Sequence, residues 1–154
     1  MNNPSEWLLE HYTTFKPGGD ILDLACGAGR HAIFLQEQGY QVTAVDIDTA
    51  ALEAIQTASI NVIRADLEGA AWPFGAEQFD GIVVVNYLWR PLFGELIGSL
   101  KPGGVMGLWS DARADEAFVG RMAKVFSNAW SEPVTFHNPL QDKPFTQTVY
   151  LART

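Results

Sequence analysis

The chain of 154 residues is 47% hydrophobic and 18% charged, a length and composition typical of one folded domain and unlike those of a disordered chain. Its ten basic and eighteen acidic residues give a formal net charge of −8 without a basic cluster, which argues against duplex nucleic acid or a membrane surface as partner. The longest stretch without Asp, Glu, Lys or Arg is ten residues, 54–63, too short for a transmembrane helix.

The cysteine usage and the first residues bear on the compartment. Cys26 is the only cysteine, so it has no partner for an internal disulfide. Residues 1–6 lack the basic region followed by an apolar run that marks a secretory signal. Because reducing compartments preserve free thiols, we expect a cytoplasmic protein.

Short apolar or β-branched runs alternate with helical stretches along the chain. The runs predict strands at residues 21–24, 41–45, 61–65, 79–85, 105–109, 133–137 and 146–151. Helices are predicted between them at residues 30–38, 49–57, 91–100 and 115–128. Such alternation indicates parallel βαβ units, so we predict a doubly wound α/β fold in a single domain, 1–154, with a short N-terminal segment, 1–19.

A glycine-rich turn follows the first predicted strand, in the sequence Gly27-Ala28-Gly29-Arg30-His31-Ala32. Glycines let a ligand approach the backbone, and the start of the next helix presents free N–H groups to an anion. Asp46 ends the second predicted strand, 19 residues after Gly27, where a carboxylate accepts hydrogen bonds from ribose hydroxyls. The pattern predicts a nucleoside-containing ligand, although a dinucleotide site has nearly the same pattern.

Asp23 narrows the choice of ligand. It lies within an otherwise apolar predicted strand, where a carboxylate is costly unless it meets a partner. The α-ammonium group of S-adenosylmethionine would be such a partner, whereas a pyrophosphate would not. The alternative that Asp23 caps backbone N–H groups of its own turn stays open.

Five motifs in register resemble class I S-adenosylmethionine-dependent methyltransferases. In chain order they are Asp23-Leu24-Ala25-Cys26-Gly27-Ala28-Gly29-Arg30-His31, Val45-Asp46-Ile47-Asp48, Ala65-Asp66-Leu67-Glu68, Phe79-Asp80-Gly81-Ile82-Val83 and Leu100-Lys101-Pro102-Gly103-Gly104. Residues 66–68, 72–74 and 86–93 also resemble small bacterial methyltransferases near the tellurite-resistance type. The resemblance implies a mostly parallel, seven-stranded Rossmann-like sheet with an antiparallel last strand and helices on both faces.

The resemblance also implies roles for individual residues. The cofactor would be bound by Asp23, Ala25, Gly27, Gly29, Arg30, Asp46, Ile47, Asp66, Leu67 and Asn86. Among these, Asp23 would hold the ammonium group, Asp46 the ribose and Asp66 the adenine amino group. Residues just after the fourth predicted strand are substrate-side candidates or, equally well, anchors for the next helix; they are Tyr87, Trp89 and Arg90.

The implied reaction is methyl transfer from S-adenosylmethionine, with S-adenosylhomocysteine as product, to an acceptor that the sequence does not identify. We expect a small molecule, or else a protein side chain. The sulfonium makes the cofactor reactive, so no catalytic pattern is required, and the three dispersed histidines do not suggest a metal.

Three other classes of protein share parts of the pattern. A nicotinamide-dependent dehydrogenase would leave Asp23 and Asp66 without a role. An aminopropyltransferase-like enzyme would have acidic residues just after the fourth strand, where this chain has Asn86-Tyr87-Leu88-Trp89. A non-catalytic module that binds S-adenosylmethionine stays open.

Little sequence is predicted to cover the acceptor. About twenty residues precede the first predicted strand, and a short link follows the fifth. We therefore expect a site that is either open or completed by a second copy, as in a homodimer. The alternative is that residues 7–15 fold back and close the pocket.

Overall fold

The computed structural model describes residues 3–48, 50, 59–85, 87, 89–110 and 113–154. The strands are β1 (Asp20–Leu24), β2 (Gln41–Asp46), β3 (Ile60–Arg64), β4 (Phe79–Val85), β5 (Leu100–Ser110), β6 (Asn128–Asn138) and β7 (Lys143–Arg153). The described helices are α1 (Glu6–His11), α2 (Arg30–Glu37), α3 (Phe93–Ser99) and α4 (Glu116–Met122), with short 3-10 turns at Tyr12–Thr14 and Arg90–Leu92. The helix predicted at 49–57 lies outside the described residues.

The seven strands form one sheet in the order β3-β2-β1-β4-β5-β7-β6. The first five strands in the chain are mutually parallel, whereas β7 is antiparallel to β5 and β6 is antiparallel to β7. This topology confirms the predicted doubly wound sheet with a reversed last strand. The chain order reverses direction at β1, so the carboxyl ends of β1, β2 and β4 lie side by side at one edge.

Successive residues of the strands pack against opposite faces of the sheet. Ile21 belongs to a core with Trp7 and Leu35, from α1 and α2. Leu22 belongs to a second core with Leu96 and Phe118, from α3 and α4. The sheet is therefore covered by helices on both faces, as the sequence predicted. None of the described helices is long and apolar enough to cross a membrane.

The segment before β1 covers the sheet. Trp7 is 1% exposed, Leu8 is fully buried and Phe15 is 3% exposed. Trp7 lies over Gly107 of β5, where an added Cβ would come within 3.0 Å of the indole ring. These residues extend the hydrophobic core, and their burial stabilises the fold.

The last predicted helix, 115–128, is shorter in the structure. Asp115 caps its start by accepting a hydrogen bond from the Ala117 N–H, but α4 ends at Met122. Phe126 is buried in the turn that follows, and Asn128 already pairs with Arg153 of β7. Residues 123–127 form a turn between α4 and β6, and only Asn128 of the predicted helix joins the ladder with β7.

The predicted helix 91–100 and the turn after it also differ in detail. A 3-10 turn comes first, α3 ends at Ser99, and Leu100 pairs with Phe79 of β4. Gly103 takes a φ of 77°, and the register of the two strands shifts between Phe79 and Gly81. β4 and β5 therefore pair on both sides of this glycine-containing turn.

Candidate functional site

The glycine-rich turn between β1 and α2 has an unusual backbone. Gly27 and Gly29 have φ values of 54° and 78°, in the left-handed region that favours glycine. Ala25 also lies there, with a φ of 53°, although it carries a Cβ. Gly29 is the N-cap residue of α2 and its N–H donates to the Cys26 carbonyl oxygen at 2.9 Å. The turn brings the start of α2 to the carboxyl end of β1.

Asp46 connects the end of β2 to this turn. Its Oδ2 accepts a hydrogen bond from the Gly27 N–H at 2.9 Å, and its Oδ1 accepts one from the Asp48 N–H at 2.9 Å. The carboxylate is therefore held in position beside the glycine turn. Ribose binding by Asp46 stays a prediction.

Asp66 organises the loop after β3. Its Oδ1 accepts hydrogen bonds from the Glu68 and Gly69 N–H groups, each at 3.0 Å. An added Cβ at Gly69 would collide with the Asp66 carboxylate, so a larger residue there would force this side chain to shift. The turn presents Leu67 and Glu68 to the same edge of the sheet as Asp46.

A cleft of about 320 Å³ lies at this edge, lined by Asp46, Ile47, Asp66, Leu67, Glu68 and Tyr87. Ile47 is 58% exposed and offers an apolar surface beside the carboxylates. The four residues predicted to hold adenosine, those at 46, 47, 66 and 67, are therefore together. Because no lysine or arginine lines this cleft among the described residues, it favours a neutral or cationic ligand over a pyrophosphate.

A second cleft, of about 420 Å³, adjoins the first and is lined by Cys26, Gly27, Ala28, Arg30, His31 and Val85. Ala25 and Tyr87 belong to both clefts. The second cleft lies over the glycine turn and the start of α2. The two clefts together form a compartment lined by carboxylates beside a second compartment lined by Arg30.

Asp23 lies on β1 and is 1% exposed. The Ala32 backbone N–H hydrogen-bonds its carboxyl group, while Oδ2 has no partner among the residues that the structure describes. Burial raises the pKa of Asp23 to about 7, against the lowering effects of the Ala32 bond and the Arg30 charge. Local capping thus satisfies only part of the carboxylate, and an unpartnered buried oxygen is the feature that a donor such as an ammonium group would satisfy.

Residues 3–5 are fastened to the rim of the second cleft. Arg30 Nη1 donates to the Asn3 carbonyl oxygen at 3.0 Å, and Nη2 donates to Ser5 Oγ at 3.3 Å. The Ser5 N–H donates to His31 Nε2 at 3.2 Å. Burial first, and then the Arg30 charge, lowers the pKa of His31 to about 4, so the imidazole is neutral and can accept this bond. Sequence reasoning missed the contact, because segments 25 and 26 residues apart leave no local pattern.

The residues after β4 are only partly brought to the site. Tyr87 lines both clefts and its hydroxyl donates to Glu68 Oε1 at 3.3 Å. Trp89 is 39% exposed, and its carbonyl oxygen accepts from the Leu92 N–H at 3.0 Å, which fits the alternative role of an anchor for the next helix. Arg90 begins a 3-10 turn, and Asn86 lies outside the described residues.

Within the part of the chain that the structure describes, no group of three or more His, Cys, Asp or Glu side chains is arranged to hold a metal ion. His11 and His137 instead face single carboxylates, those of Glu132 and Asp142, at 3.0 and 3.2 Å.

Comparison with known proteins identifies the family. A model of the methyltransferase domain family matches residues 21–104, which include the glycine turn, Asp46 and Asp66. The chain is 40% identical to the ribosomal protein L11 methyltransferase of Burkholderia thailandensis over 108 residues, which are 67% of this chain and 34% of that protein. It thus spans about a third of the length of this curated relative.

Solved structures share the fold at low sequence identity. A TehB-like S-adenosylmethionine-dependent methyltransferase from Corynebacterium glutamicum is 20% identical, with a TM-score of 0.66 over 96% of this chain and 86% of that one. The 1,6-didemethyltoxoflavin-N1-methyltransferase of Burkholderia thailandensis, solved with S-adenosylhomocysteine, is 17% identical, with a TM-score of 0.70 over 97% and 75% of the two chains. On the family match, the fold and the clustered motifs, this chain belongs to the methyltransferase domain family, in the class I S-adenosylmethionine-dependent group.

Proposed function

We propose that this protein transfers a methyl group from S-adenosylmethionine to a small-molecule acceptor. The observation that carries the proposal is the buried Asp23 carboxylate with its unpartnered Oδ2, directly behind the turn that is hydrogen-bonded to Asp46. A buried acceptor at the end of β1 needs a donor from a ligand. An ammonium group supplies both the donor and the opposite charge.

In this proposal, the residues of the two clefts bind different portions of the cofactor. Asp46 would accept the ribose hydroxyls, Ile47 would lie against the adenine, and Asp66 with Leu67 would bind the adenine edge. The glycine turn and Asp23 would hold the methionine portion, with Arg30 near its carboxylate. This arrangement matches the charge of the cofactor, because carboxylates line the adenosine side and a guanidinium lies on the other side.

When bound, the cofactor supplies a methyl group on a positively charged sulfur. The protein then needs to hold the acceptor in line and exclude water. Tyr87 and Val85 line the compartment next to the glycine turn. Residues 3–5, which are hydrogen-bonded to Arg30 and His31, lie at its rim. Positioning by these groups requires no catalytic triad.

The size of the second cleft supports a small acceptor. The methionine portion of the cofactor would occupy part of its volume of about 420 Å³, so only the remainder is open to the acceptor. Among the similar proteins, one is named for a ribosomal protein and another for 1,6-didemethyltoxoflavin, so the family resemblance favours neither class. The attachment of residues 3–5 at the rim narrows access, which favours a small molecule over a folded protein surface.

The test uses S-adenosylmethionine labelled on its methyl group and a cell extract separated by size into a small-molecule and a protein fraction. We expect a labelled small molecule other than S-adenosylmethionine in the small-molecule fraction. This labelled product should be lost in an Asp46→Ala variant. Label in the protein fraction would overturn the acceptor class. Binding of S-adenosylhomocysteine without transfer to either fraction would instead favour a non-catalytic module, and transfer of an aminopropyl group from the decarboxylated cofactor would favour the aminopropyltransferase alternative.

We also propose that a second copy completes the cover of the acceptor compartment in a cytoplasmic homodimer. The support is that the core takes Trp7, Leu8 and Phe15, so these residues cannot close the site by folding over it. Light scattering at several concentrations, with and without S-adenosylhomocysteine, tests this proposal. A strict monomer under all of these conditions would contradict it.

A further inference from the structure

A hydrogen bond crosses the candidate cofactor site from one side to the other. The Tyr87 hydroxyl donates to Glu68 Oε1 at 3.3 Å. Tyr87 follows β4, whereas Glu68 lies in the loop after β3. The two side chains therefore come from strands that are not neighbours in the sheet.

The order of the strands determines what lies between these two side chains. The sheet runs β3-β2-β1-β4, so the ends of β2 and β1 separate the two attachment points. Three steps between adjacent strands, each about 4.8 Å, amount to roughly 14 Å. A bond that joins the two sides must pass over the ends of β1 and β2, where Ala25 and Asp46 lie.

The residues that line the clefts support this placement. Glu68 and Tyr87 both line the cleft of about 320 Å³, together with Asp46 and Ala25. Tyr87 also lines the second cleft, so it stands at the boundary between the two compartments. The pair thus lies across the opening beneath which the nucleoside would be bound.

The electrostatic surroundings keep the Tyr87 hydroxyl protonated, so that it can donate this hydrogen bond. Burial and then the neighbouring carboxylates of Glu68, Asp66 and Asp46 raise the pKa of Tyr87 to about 12. The phenol therefore keeps its proton at physiological pH and remains a donor. Glu68 offers a charged acceptor, and hydrogen bonds to charged groups are stronger than neutral ones.

We propose that the Tyr87–Glu68 hydrogen bond is a strap that closes over the adenosine portion of the cofactor and must open for it to enter or leave. The proposal rests on the proposed function, since it names the ligand beneath the strap. Tyr87 and Glu68 are then positioning residues that govern how fast the cofactor exchanges. A bond between two exposed side chains with no ligand beneath it would have no such kinetic effect.

The experiment measures the association and dissociation rates of S-adenosylhomocysteine by stopped-flow tryptophan fluorescence. The variants are Tyr87→Phe, Glu68→Gln and the two combined. The matched control is Tyr40→Phe, which removes a hydroxyl that donates to the Tyr12 carbonyl oxygen, away from both clefts. Thermal melting shows that each variant remains folded.

Breaking the strap should accelerate both rates by roughly threefold or more, the equivalent of one modest hydrogen bond. The combined variant should be no faster than the faster single variant, because either change breaks the same bond. Tyr40→Phe should leave both rates unchanged.

Two results would overturn the strap alone while S-adenosylhomocysteine still binds. One is unchanged rates in both single variants. The other is faster dissociation with unchanged association, which would indicate an ordinary contact with the bound ligand rather than a barrier to its entry. Wild-type protein that does not bind S-adenosylhomocysteine would instead overturn the proposed function, and the strap with it.

Discussion

Gly27 and Asp46 are joined by a hydrogen bond of 2.9 Å, in which the glycine N–H donates to Oδ2 of the carboxylate. The bond connects the turn after β1 with the end of β2, so two of the motifs that we propose to bind the cofactor hold each other in place. A carboxylate that is already fixed loses little freedom when a ligand binds. The proposed ribose site is therefore preorganised.

Replacing Asp46 should weaken the binding of S-adenosylhomocysteine. Asp46→Ala removes the ribose acceptor and the partner of the Gly27 N–H, and hydrogen bonds to a charged group contribute roughly 1.5–3 kcal/mol. We expect the dissociation constant to rise about tenfold or more, as measured by titration calorimetry. Asp142→Ala, at an exposed carboxylate of the β6–β7 hairpin, is the control and should bind normally. Equal affinity of the Asp46 variant and the wild type would exclude this role.

Binding should release a proton from Asp23. The pKa of this buried carboxyl is about 7, so at pH 6 most molecules carry the proton. A ligand ammonium group favours the charged carboxylate, lowers the pKa and displaces the proton. Calorimetric titrations with S-adenosylhomocysteine at pH 6, in buffers of different ionisation enthalpy, count the protons released.

The control for this prediction is Asp23→Asn, which has no proton to release near pH 6. We expect a release approaching one proton in the wild type and a loss of that release in the variant. Uptake of a proton by the wild type would contradict the assignment of Asp23 to an ammonium group.

Asp23 and His31 should oppose each other in the pH dependence of stability. The pKa of Asp23 is raised from 3.8 to about 7, so its contribution to the free energy of unfolding is present below pH 3.8 and is lost as the pH rises to about 7. The pKa of His31 is lowered from 6.5 to about 4, so its contribution is present above pH 6.5 and is lost as the pH falls to about 4. Between about pH 4 and 6.5 the two effects offset each other.

Single variants should separate the two effects. In His31→Gln the free energy of unfolding should fall as the pH rises from 4.5 to 6.5, with a slope of up to about 1.4 kcal/mol per pH unit. In Asp23→Asn it should instead rise over the same interval. Urea denaturation at several pH values measures both slopes, and slopes of the same sign would refute the assignment.

Gly81 should tolerate no side chain. An added Cβ would collide with Phe15 and Ile21 inside the core. Gly81→Ala should lower the free energy of unfolding by about 1–3 kcal/mol, the usual cost of overpacking a core. Gly120→Ala is the matched control, because Gly120 lies in α4 with open space around it. This variant should raise the free energy of unfolding by about 0.4–1 kcal/mol. If the denaturation curves of the two variants coincided, the packing around β4 would be looser than described.

The central strands and the clustered motifs could be predicted because their signals are local. Each parallel strand ends in a turn that carries its own chemistry, such as Gly27, Asp46 or Asp66, and parallel strands bring those ends to one edge. The end of α4 could not be predicted, because the spacing of Val125 and Phe126 resembles a continuing helix. The helix instead ends at Met122, and after a turn Asn128 pairs with β7, a strand that comes later in the chain.

Contacts between distant segments also escaped sequence reasoning. The bonds of Asn3 and Ser5 to Arg30 and His31 depend on how α1 packs on the sheet, and no periodicity records that. Glu68 stood within a recognised motif, but its hydrogen bond to Tyr87 follows from the order β3-β2-β1-β4. Such features become visible only after the strand order is known.

Titration calorimetry of the wild-type protein with S-adenosylhomocysteine and, separately, with NAD tests the central claim most directly. Both ligands contain adenosine, but only the first has an ammonium group for Asp23, and only the second brings a pyrophosphate to the carboxylate-lined cleft. We predict that S-adenosylhomocysteine binds more tightly than NAD. Tighter binding of NAD would contradict the assignment of this site to S-adenosylmethionine.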